Sequence, residues 1–153
     1  MDNLKQKLLY FLVLLELLAI ATSSYLITLH YDDAGEGFCD ISETFDCHTV
    51  NQSEYSELFG IPVALLGSLT FVFMLFLTYF LIKDKKLNLL KLELANHNIL
   101  LILLSILIFS ILFSAYLVYV ELFILYTICL FCVVLDVLIV IMFLIVLYLL
   151  KKL

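Results

Sequence analysis

The sequence predicts an all-α integral membrane protein, a four-helix bundle with one polar loop outside the membrane. The chain of 153 residues is 65% hydrophobic and only 14% charged. Its mean hydropathy of +1.20 lies outside the range of soluble globular proteins. Four apolar stretches reach the ~20 residues that a helix needs to cross a bilayer. These predicted spans, within a single domain of residues 1–153, are residues 8–30, 61–82, 97–120 and 122–150.

The first apolar stretch has an alternative interpretation as a signal peptide. It follows a basic start and contains Ala19-Ile-Ala21, which resembles a cleavage pattern. The apolar run continues to Leu29, however, and cleavage would leave three spans with an inconsistent lysine pattern. We therefore interpret it as the first span. Glu16, in its middle, is expected to face another helix, because a carboxyl group in contact with lipid is costly.

The charges predict the orientation of the bundle. All eight basic residues are lysines, and they lie at the amino end, in the second connection and at the carboxyl end. A four-span topology puts these three places on one side, which the positive-inside rule makes the cytoplasm. The first connection, residues 31–60, is acidic and has no lysine, so it is expected outside. The net charge of −6 speaks against nucleic-acid binding.

The outer loop contains the first pair of cysteines, Cys39 and Cys47. Residues 49–59 follow with the pattern of a short amphipathic helix. Asn51 suits its N-cap, with Glu54 three residues later, and Gly60 suits its carboxyl end. We expect this helix to lie across the mouth of the bundle as a lid.

The second pair of cysteines is Cys129-x-x-Cys132, in the predicted fourth span. Residues three apart on a helix share a face, with Cβ atoms roughly 5–6 Å apart. Cys129 and Cys132 can therefore form a disulfide with modest adjustment. This pair is expected close enough to the outer boundary to be reached by the loop, and deep enough to meet a molecule dissolved in the lipid.

Two cysteine pairs on the non-cytoplasmic side predict a relay by thiol–disulfide exchange, because disulfides persist in that compartment. A quinone is the natural two-electron acceptor in a bilayer. One alternative is a structural loop disulfide beside a chance pair of small apolar residues, which would make the chain a noncatalytic scaffold or receptor. Zinc ligation by four thiolates, half buried in lipid and facing an oxidising compartment, is unfavourable, so no metal is expected.

The combination of motifs resembles the vitamin K epoxide reductase (VKOR) family. The motifs are Cys39-x7-Cys47, the run Ser-Glu-Tyr-Ser-Glu-Leu-Phe-Gly-Ile-Pro from Ser53 onward, and Cys129-x-x-Cys132 in the last span. The resemblance covers most of the chain and implies a quinone-dependent thiol–disulfide oxidoreductase. It implies that Cys132 reduces the quinone and that Cys129 exchanges with Cys47. Cys39 would then face an external thiol partner.

The same resemblance suggests which residues contact the quinone, which could be ubiquinone, menaquinone or a vitamin K-like molecule. The candidates are Ser53, Phe59 and Asp136. Ser53 matches a serine that the family places near the active cysteines. Animal members have a tyrosine where this chain has Asp136, so reduction of vitamin K epoxide remains only an alternative activity. Asp136 is expected either to donate a proton or hydrogen bond to the quinone, or to serve helix packing.

The run from Ser53 to Pro62 looks like that of prokaryotic members. The resemblance therefore implies a multi-pass protein of a prokaryotic cytoplasmic membrane, with both termini in the cytoplasm and the redox loop outside. Many prokaryotic members are fused to a thioredoxin-like domain, whereas this sequence ends at Leu153. The expected partners are thus the lipid bilayer, a quinone and a separate thioredoxin-fold (DsbA-like) protein.

Overall fold

The computed structural model describes residues 3–31, 44–83, 87–89, 92–94 and 96–152. Four long helices dominate it, as predicted. The elements in chain order are α1 (Asn3–Tyr31), α2 (Cys47–Asn51), a 3₁₀ turn (Glu54–Ser56), β1 (Glu57–Leu58), β2 (Ile61–Pro62), α3 (Val63–Lys83), β3 (Leu87–Leu89), β4 (Leu92–Leu94), α4 (Asn96–Val120), a π-helical turn (Glu121–Leu125) and α5 (Leu130–Lys151).

Helices α1, α3, α4 and α5 are each long and apolar enough to cross a membrane. A helix satisfies its backbone hydrogen bonds internally, which lipid requires. Large apolar side chains also point outward from the bundle, and Leu112, Phe123 and Leu144 are each 58–67% exposed. An outer surface of this kind suits hydrocarbon and is unsuited to water.

The bundle core consists mainly of leucine with two methionines. Met74 of α3 and Met142 of α5 are fully buried, together with Leu12 of α1 and Leu103 of α4. Helix α1 makes its most extensive contacts with α3, and α4 packs chiefly on α5. Helices α3 and α4 contact each other much less, and this leaves space between them near the end of the bundle that carries the loop.

The start of the fourth span differs from the prediction. Helix α4 continues into the π-helical turn, and α5 begins at Leu130 and not at residue 122. The chain turns at Tyr126, whose φ of 54° is left-handed, and Cys129 is extended with φ −88° and ψ 109°. The apolar composition of this segment hides the break, because hydropathy does not distinguish a helix from a short re-entrant segment.

The outer loop carries a short helix, but its bounds differ from the predicted 49–59. Helix α2 begins after Asp46, whose side chain accepts a hydrogen bond from Thr49 N at 2.8 Å, and it ends at Asn51. The N-cap is therefore Asp46, and Asn51 lies inside the helix. Asp46 is a better cap because its two oxygens contact both the amide and the hydroxyl of Thr49.

The remainder of the predicted lid helix is a 3₁₀ turn followed by a tight hairpin. Strand β1 pairs antiparallel with β2. Phe59 and Gly60 form the turn with φ of 55° and 78°. Positive φ at both central residues matches a type I′ turn, whose twist suits a two-residue hairpin. Pro62 ends β2, immediately before α3. A second small hairpin, β3 with β4, lies in the connection between α3 and α4.

Glu16 is fully buried and pairs with another helix, as expected. Its Oε1 accepts a hydrogen bond from Thr78 Oγ1 of α3 at 2.8 Å, while Oε2 has no partner among the described residues. The partner on the other helix is thus a threonine hydroxyl. This contact joins α1 and α3 inside the apolar core.

Replacing Thr78 with valine is therefore expected to destabilise the fold. Thr78→Val keeps the shape of the side chain but leaves both oxygens of Glu16 without a donor. Because hydrogen bonds between membrane helices contribute about 0.6–1.7 kcal/mol, the free energy of unfolding should fall by about that amount. Denaturant unfolding in detergent micelles measures it. The matched control is Thr22→Val, which removes a hydroxyl that donates to Leu18 O of its own helix. Equal losses in the two variants would contradict the role of the interhelical contact.

Candidate redox site

The connection between α4 and α5 positions the two helix cysteines. The backbone carbonyl of Glu121 accepts hydrogen bonds from Tyr126 N and, at 3.1 Å, from Thr127 N. These bonds close the π-helical turn and reverse the chain into the extended segment that ends at Cys129. π-Helical turns are rare and occur often at functional sites.

Cys129 is the N-cap of α5 and therefore lies outside the helix. The sequence predicted instead that both cysteines lie on one face of a helix. Its sulfur accepts a hydrogen bond from Cys132 N at 3.3 Å, which is the bond that an N-cap side chain makes with the third helical residue. Both cysteines are free thiols. The capping geometry therefore provides the proximity that was expected from helical spacing.

The outer loop docks directly on this segment. Ile128 N donates to Thr44 O at 2.8 Å, and Phe45 forms a parallel β-bridge with Ile128. This pairing brings the start of α2 against the start of α5. Cys47 and Cys129, both fully buried, pack in one small cluster. The cluster consists of Leu26, Leu29, Cys47, Val50 and Cys129.

Cys47 is disulfide-bonded. The other loop cysteine of the sequence analysis, Cys39, lies outside the described residues. The structure thus has a disulfide-bonded loop cysteine packed near a free helix thiol. This arrangement brings a sulfur that can be attacked close to a sulfur that can attack.

Asn51 links the loop helix to the helix cysteines, a role that the sequence analysis did not predict. Its side chain is 7% exposed and donates to Cys47 O at 2.8 Å and to Cys129 Sγ at 3.7 Å. The available signal was its position four residues after Cys47, which puts both residues on the same face of a helix. The prediction that Asn51 caps a helix obscured this signal.

His30 attaches the same loop to the end of α1. Its Nδ1 lies 2.5 Å from Asn51 O, and its Nε2 lies 3.2 Å from the Glu57 carboxylate in β1. Both partners are acceptors, so a protonated imidazole can donate to both of them at once. His30 therefore fastens the loop helix and the hairpin over the end of the bundle.

A cavity of about 780 Å³ opens beside the cysteines. Its size is that of a site for a small organic molecule, and its wall is mainly apolar. Cys132 lines it, whereas Cys129 does not. Most of the other lining side chains belong to α3 and α4, including Ala64, Gly67, Phe71, Ile106, Phe109, Ser110, Phe113 and Leu117.

The three predicted quinone contacts have different positions in the structure. Asp136 lines the cavity and accepts a hydrogen bond from the Ser114 hydroxyl. Ser53 also lines it, and its hydroxyl donates to Val50 O at 2.8 Å. Phe59 lies at the tip of the hairpin, 98% exposed, and is not part of the cavity wall. The structure thus brings Ser53 and Asp136 to the cavity of Cys132 and leaves Phe59 outside it.

Glu121 is a further site residue that the sequence analysis missed. Its side chain is 5% exposed, and its Oε2 accepts a hydrogen bond from Cys129 N at 3.1 Å. Glu121 also lines the cavity together with Cys132. The signal that could have found it is an acid eight residues before Cys129 in an otherwise apolar segment.

No group of three or more potential metal ligands occurs in the part of the chain that the structure describes.

The sequence of the whole chain was also compared with known proteins. The sequence model of the Vitamin K epoxide reductase family matches residues 10–147. The chain belongs to the VKOR family. A comparison with curated protein sequences found no significant match.

Membership of the VKOR family, together with the four apolar helices, makes this chain a multi-pass membrane protein with oxidoreductase activity. VKOR proteins use quinones as electron partners. The free thiol of Cys132 on the wall of an apolar cavity is in keeping with that chemistry.

Proposed function

We propose that this VKOR protein is a quinone-dependent thiol–disulfide oxidoreductase that promotes disulfide formation on the outer side of the membrane. Electrons pass from the dithiol of a separate thioredoxin-fold protein to Cys39 and Cys47. They continue to Cys129 and Cys132 and finally to a quinone. The whole chain, residues 1–153, acts as one VKOR-like domain.

One observation carries this proposal. The helix cysteines differ in position: Cys129 is a fully buried member of the cluster that contains the loop cysteine Cys47, whereas Cys132 lies at the edge of that cluster and also lines the cavity. A relay needs one sulfur that exchanges with the loop and another that meets the acceptor. The division between Cys129 and Cys132 supports those two roles. It would have no purpose in a scaffold held by a structural disulfide.

The steps balance as follows. A partner thiolate attacks Cys39 of the loop disulfide, and the second partner thiol then releases a loop dithiol and leaves with a disulfide of its own. Cys47 attacks Cys129 of the helix disulfide, and Cys39 resolves the resulting Cys47–Cys129 bond. The helix dithiol then gives two electrons and two protons to the quinone. The net reaction converts a partner dithiol and a quinone into a partner disulfide and a quinol.

The cavity supports a quinone as the acceptor. Its apolar wall suits the ring and a hydrocarbon tail, and the sparse helix contacts between α3 and α4 leave room on the side that faces lipid. Asp136 and Ser53 provide polar groups for the quinone oxygens. Phe59, on the exposed hairpin tip, would contact a quinone only if the hairpin folded inward.

We further propose that the lysine-rich ends of the bundle face the cytoplasm of a prokaryote and that the loop faces outward. The outward face is where disulfides persist, so the loop cysteines would meet their thiol partner there. The orientation follows from the positive-inside rule applied to the three lysine clusters.

A reconstituted assay tests the proposed function. The purified protein in lipid vesicles is mixed with a reduced thioredoxin-fold donor and with ubiquinone, menaquinone or vitamin K epoxide in separate reactions. We expect donor oxidation to require the protein and a quinone. Turnover with the epoxide alone would instead favour the epoxide reductase activity, and no thiol exchange with any acceptor would favour the noncatalytic scaffold.

A disulfide trap tests the same proposal without a substrate. In the Cys39→Ser and Cys132→Ser double variant, oxidation with diamide, which takes up the two electrons and two protons of the thiols, should join the remaining Cys47 and Cys129 in a disulfide that shifts the protein on a non-reducing gel. The double variant Cys39→Ser and Cys129→Ser is the matched control, since it leaves Cys132 on the cavity wall. Equal trapping in the two variants would contradict the division of roles between the helix cysteines.

A further inference from the structure

We propose that Glu121 is a catalytic residue that orients the Cys132 thiol and accepts its proton when the thiolate forms. This inference rests on the proposed function, because it concerns the thiol that reduces the quinone. It extends that function by naming a proton acceptor for the dithiol, which the cysteines alone do not provide.

Hydrogen bonds at the end of α4 and at the start of α5 fix the position of Glu121 and its carboxyl group. Its own backbone carbonyl closes the turn at the end of α4 by accepting from Thr127 N. Its Oε2 is held at the start of α5 by Cys129 N at 3.1 Å. The side chain therefore spans the connection and cannot rotate away without breaking a buried hydrogen bond, which would leave an amide without a partner.

From this position the carboxyl group lies beside the reacting cysteine pair. Its Oε2 is 3.1 Å from Cys129 N, and both Glu121 and Cys132 lie on the wall of the cavity, where the thiol and the carboxyl group act on each other. Burial of Glu121 with 5% exposure leaves little water to act as an alternative acceptor. A carboxylate offers acceptor sites on both oxygens, so it can hold the Cys129 amide and the Cys132 thiol at the same time.

Other titratable groups near Glu121 are less suited to this role. Within the described part of the chain, the titratable side chains that act on it are those of Cys132 and Asp136. Cys129 acts on it through its backbone amide. Asp136 accepts a hydrogen bond from the Ser114 hydroxyl of α4. Glu121 is the acid whose carboxyl group is hydrogen-bonded to the backbone of the cysteine pair.

The proton and electron balance is simple. Cys132 gives its proton to the Glu121 carboxylate, and the thiolate electrons pass to the oxidant as the Cys129–Cys132 disulfide forms. When the oxidant is a quinone, the two electrons and two protons of the dithiol end on the quinol. Glu121 carries one of these protons for part of the reaction and is unchanged at its end.

The test uses Glu121→Gln in the full-length protein. Glutamine keeps the shape and a carbonyl oxygen for the Cys129 amide, but it cannot accept a proton at working pH. We expect the turnover number for quinone reduction to fall by about 10²-fold, the lower end of the effect of losing a positioned proton acceptor, with little change in KM. In the wild type, the turnover number should rise with pH and then level off. In Glu121→Gln, it should instead keep rising with hydroxide concentration. The matched control, Glu16→Gln, alters another buried glutamate away from the cavity and should keep the wild-type profile.

A second reaction separates failure of this inference from failure of the proposed function. A small aromatic disulfide oxidises the Cys129–Cys132 dithiol in a Cys39→Ser and Cys47→Ser background, and the released aromatic thiolate is followed by absorbance. Glu121→Gln should slow this step about as strongly as it slows quinone reduction. If the wild type reduces no quinone, the proposed function fails while this step still tests Glu121. If Glu121→Gln matches the wild-type rate and pH profile in both reactions, the inference is overturned and the function stands.

Discussion

Cys132→Ser is expected to abolish quinone reduction while the chain continues to form mixed disulfides with its thiol partner. Serine replaces the sulfur that lines the cavity but leaves Cys129 in the buried cluster that contains Cys47. A hydroxyl cannot form the helix disulfide, so the two electrons have no route to the acceptor. The loop and Cys129 can still exchange, and the relay should therefore stop with trapped intermediates.

The measurement combines quinone absorbance with a non-reducing gel. The matched control is Val133→Ser, which adds the same hydroxyl one residue later, where the side chain is partly exposed on the outer surface of the bundle. That control should reduce quinone at nearly the wild-type rate. Unchanged turnover in Cys132→Ser would disprove the assignment of Cys132 as the reductant of the quinone.

Asn51→Leu is expected to slow exchange between the loop and helix cysteines by about tenfold or more. Leucine has a similar size but cannot donate to Cys47 O and Cys129 Sγ, which the Asn51 amide contacts in the buried cluster. Leaving a buried acceptor without its donor costs about 1–3 kcal/mol, and 1.4 kcal/mol corresponds to a factor of ten. Docking of α2 beside Cys129 should weaken accordingly.

This effect can be measured as the effective concentration of Cys47 toward Cys129 in the Cys39→Ser and Cys132→Ser background, titrated with a glutathione redox buffer. Gln52→Leu provides the matched control, because it removes a neighbouring amide that is exposed. If Asn51→Leu and Gln52→Leu gave the same effective concentration, Asn51 would not be the link between loop and helix.

The sequence by itself determined the class of protein and its redox chemistry. Four apolar stretches of bilayer length predict four membrane helices whatever their packing, because the cost of transferring a helix into lipid is a sum over its own residues. The spacing of Cys39, Cys47, Cys129 and Cys132, together with the run that starts at Ser53, was specific enough to suggest the VKOR family. The match over residues 10–147 confirms that family.

The bounds of the short elements depended on tertiary contacts. In a uniformly apolar stretch, hydropathy cannot show that α4 ends in a π-helical turn at Glu121 or that α5 begins at Leu130. These boundaries depend on the left-handed backbone conformation of Tyr126. They also depend on the pairing of Ile128 with Phe45 of the loop, a contact between residues far apart in the chain. The same limit explains the error over residues 49–59, where Asp46 competed successfully with Asn51 as the helix cap.

Only the tertiary structure decided what each polar residue does. It made Cys129 an N-cap and assigned Cys132 to the cavity wall, although their spacing fits a shared helical face equally well. It also brought Asn51 and Glu121 to the cysteines, from positions 78 and eight residues away from Cys129. The physical reason is that a buried polar group takes the partner that the fold brings within hydrogen-bond distance, and local sequence patterns contain no information about such distant partners.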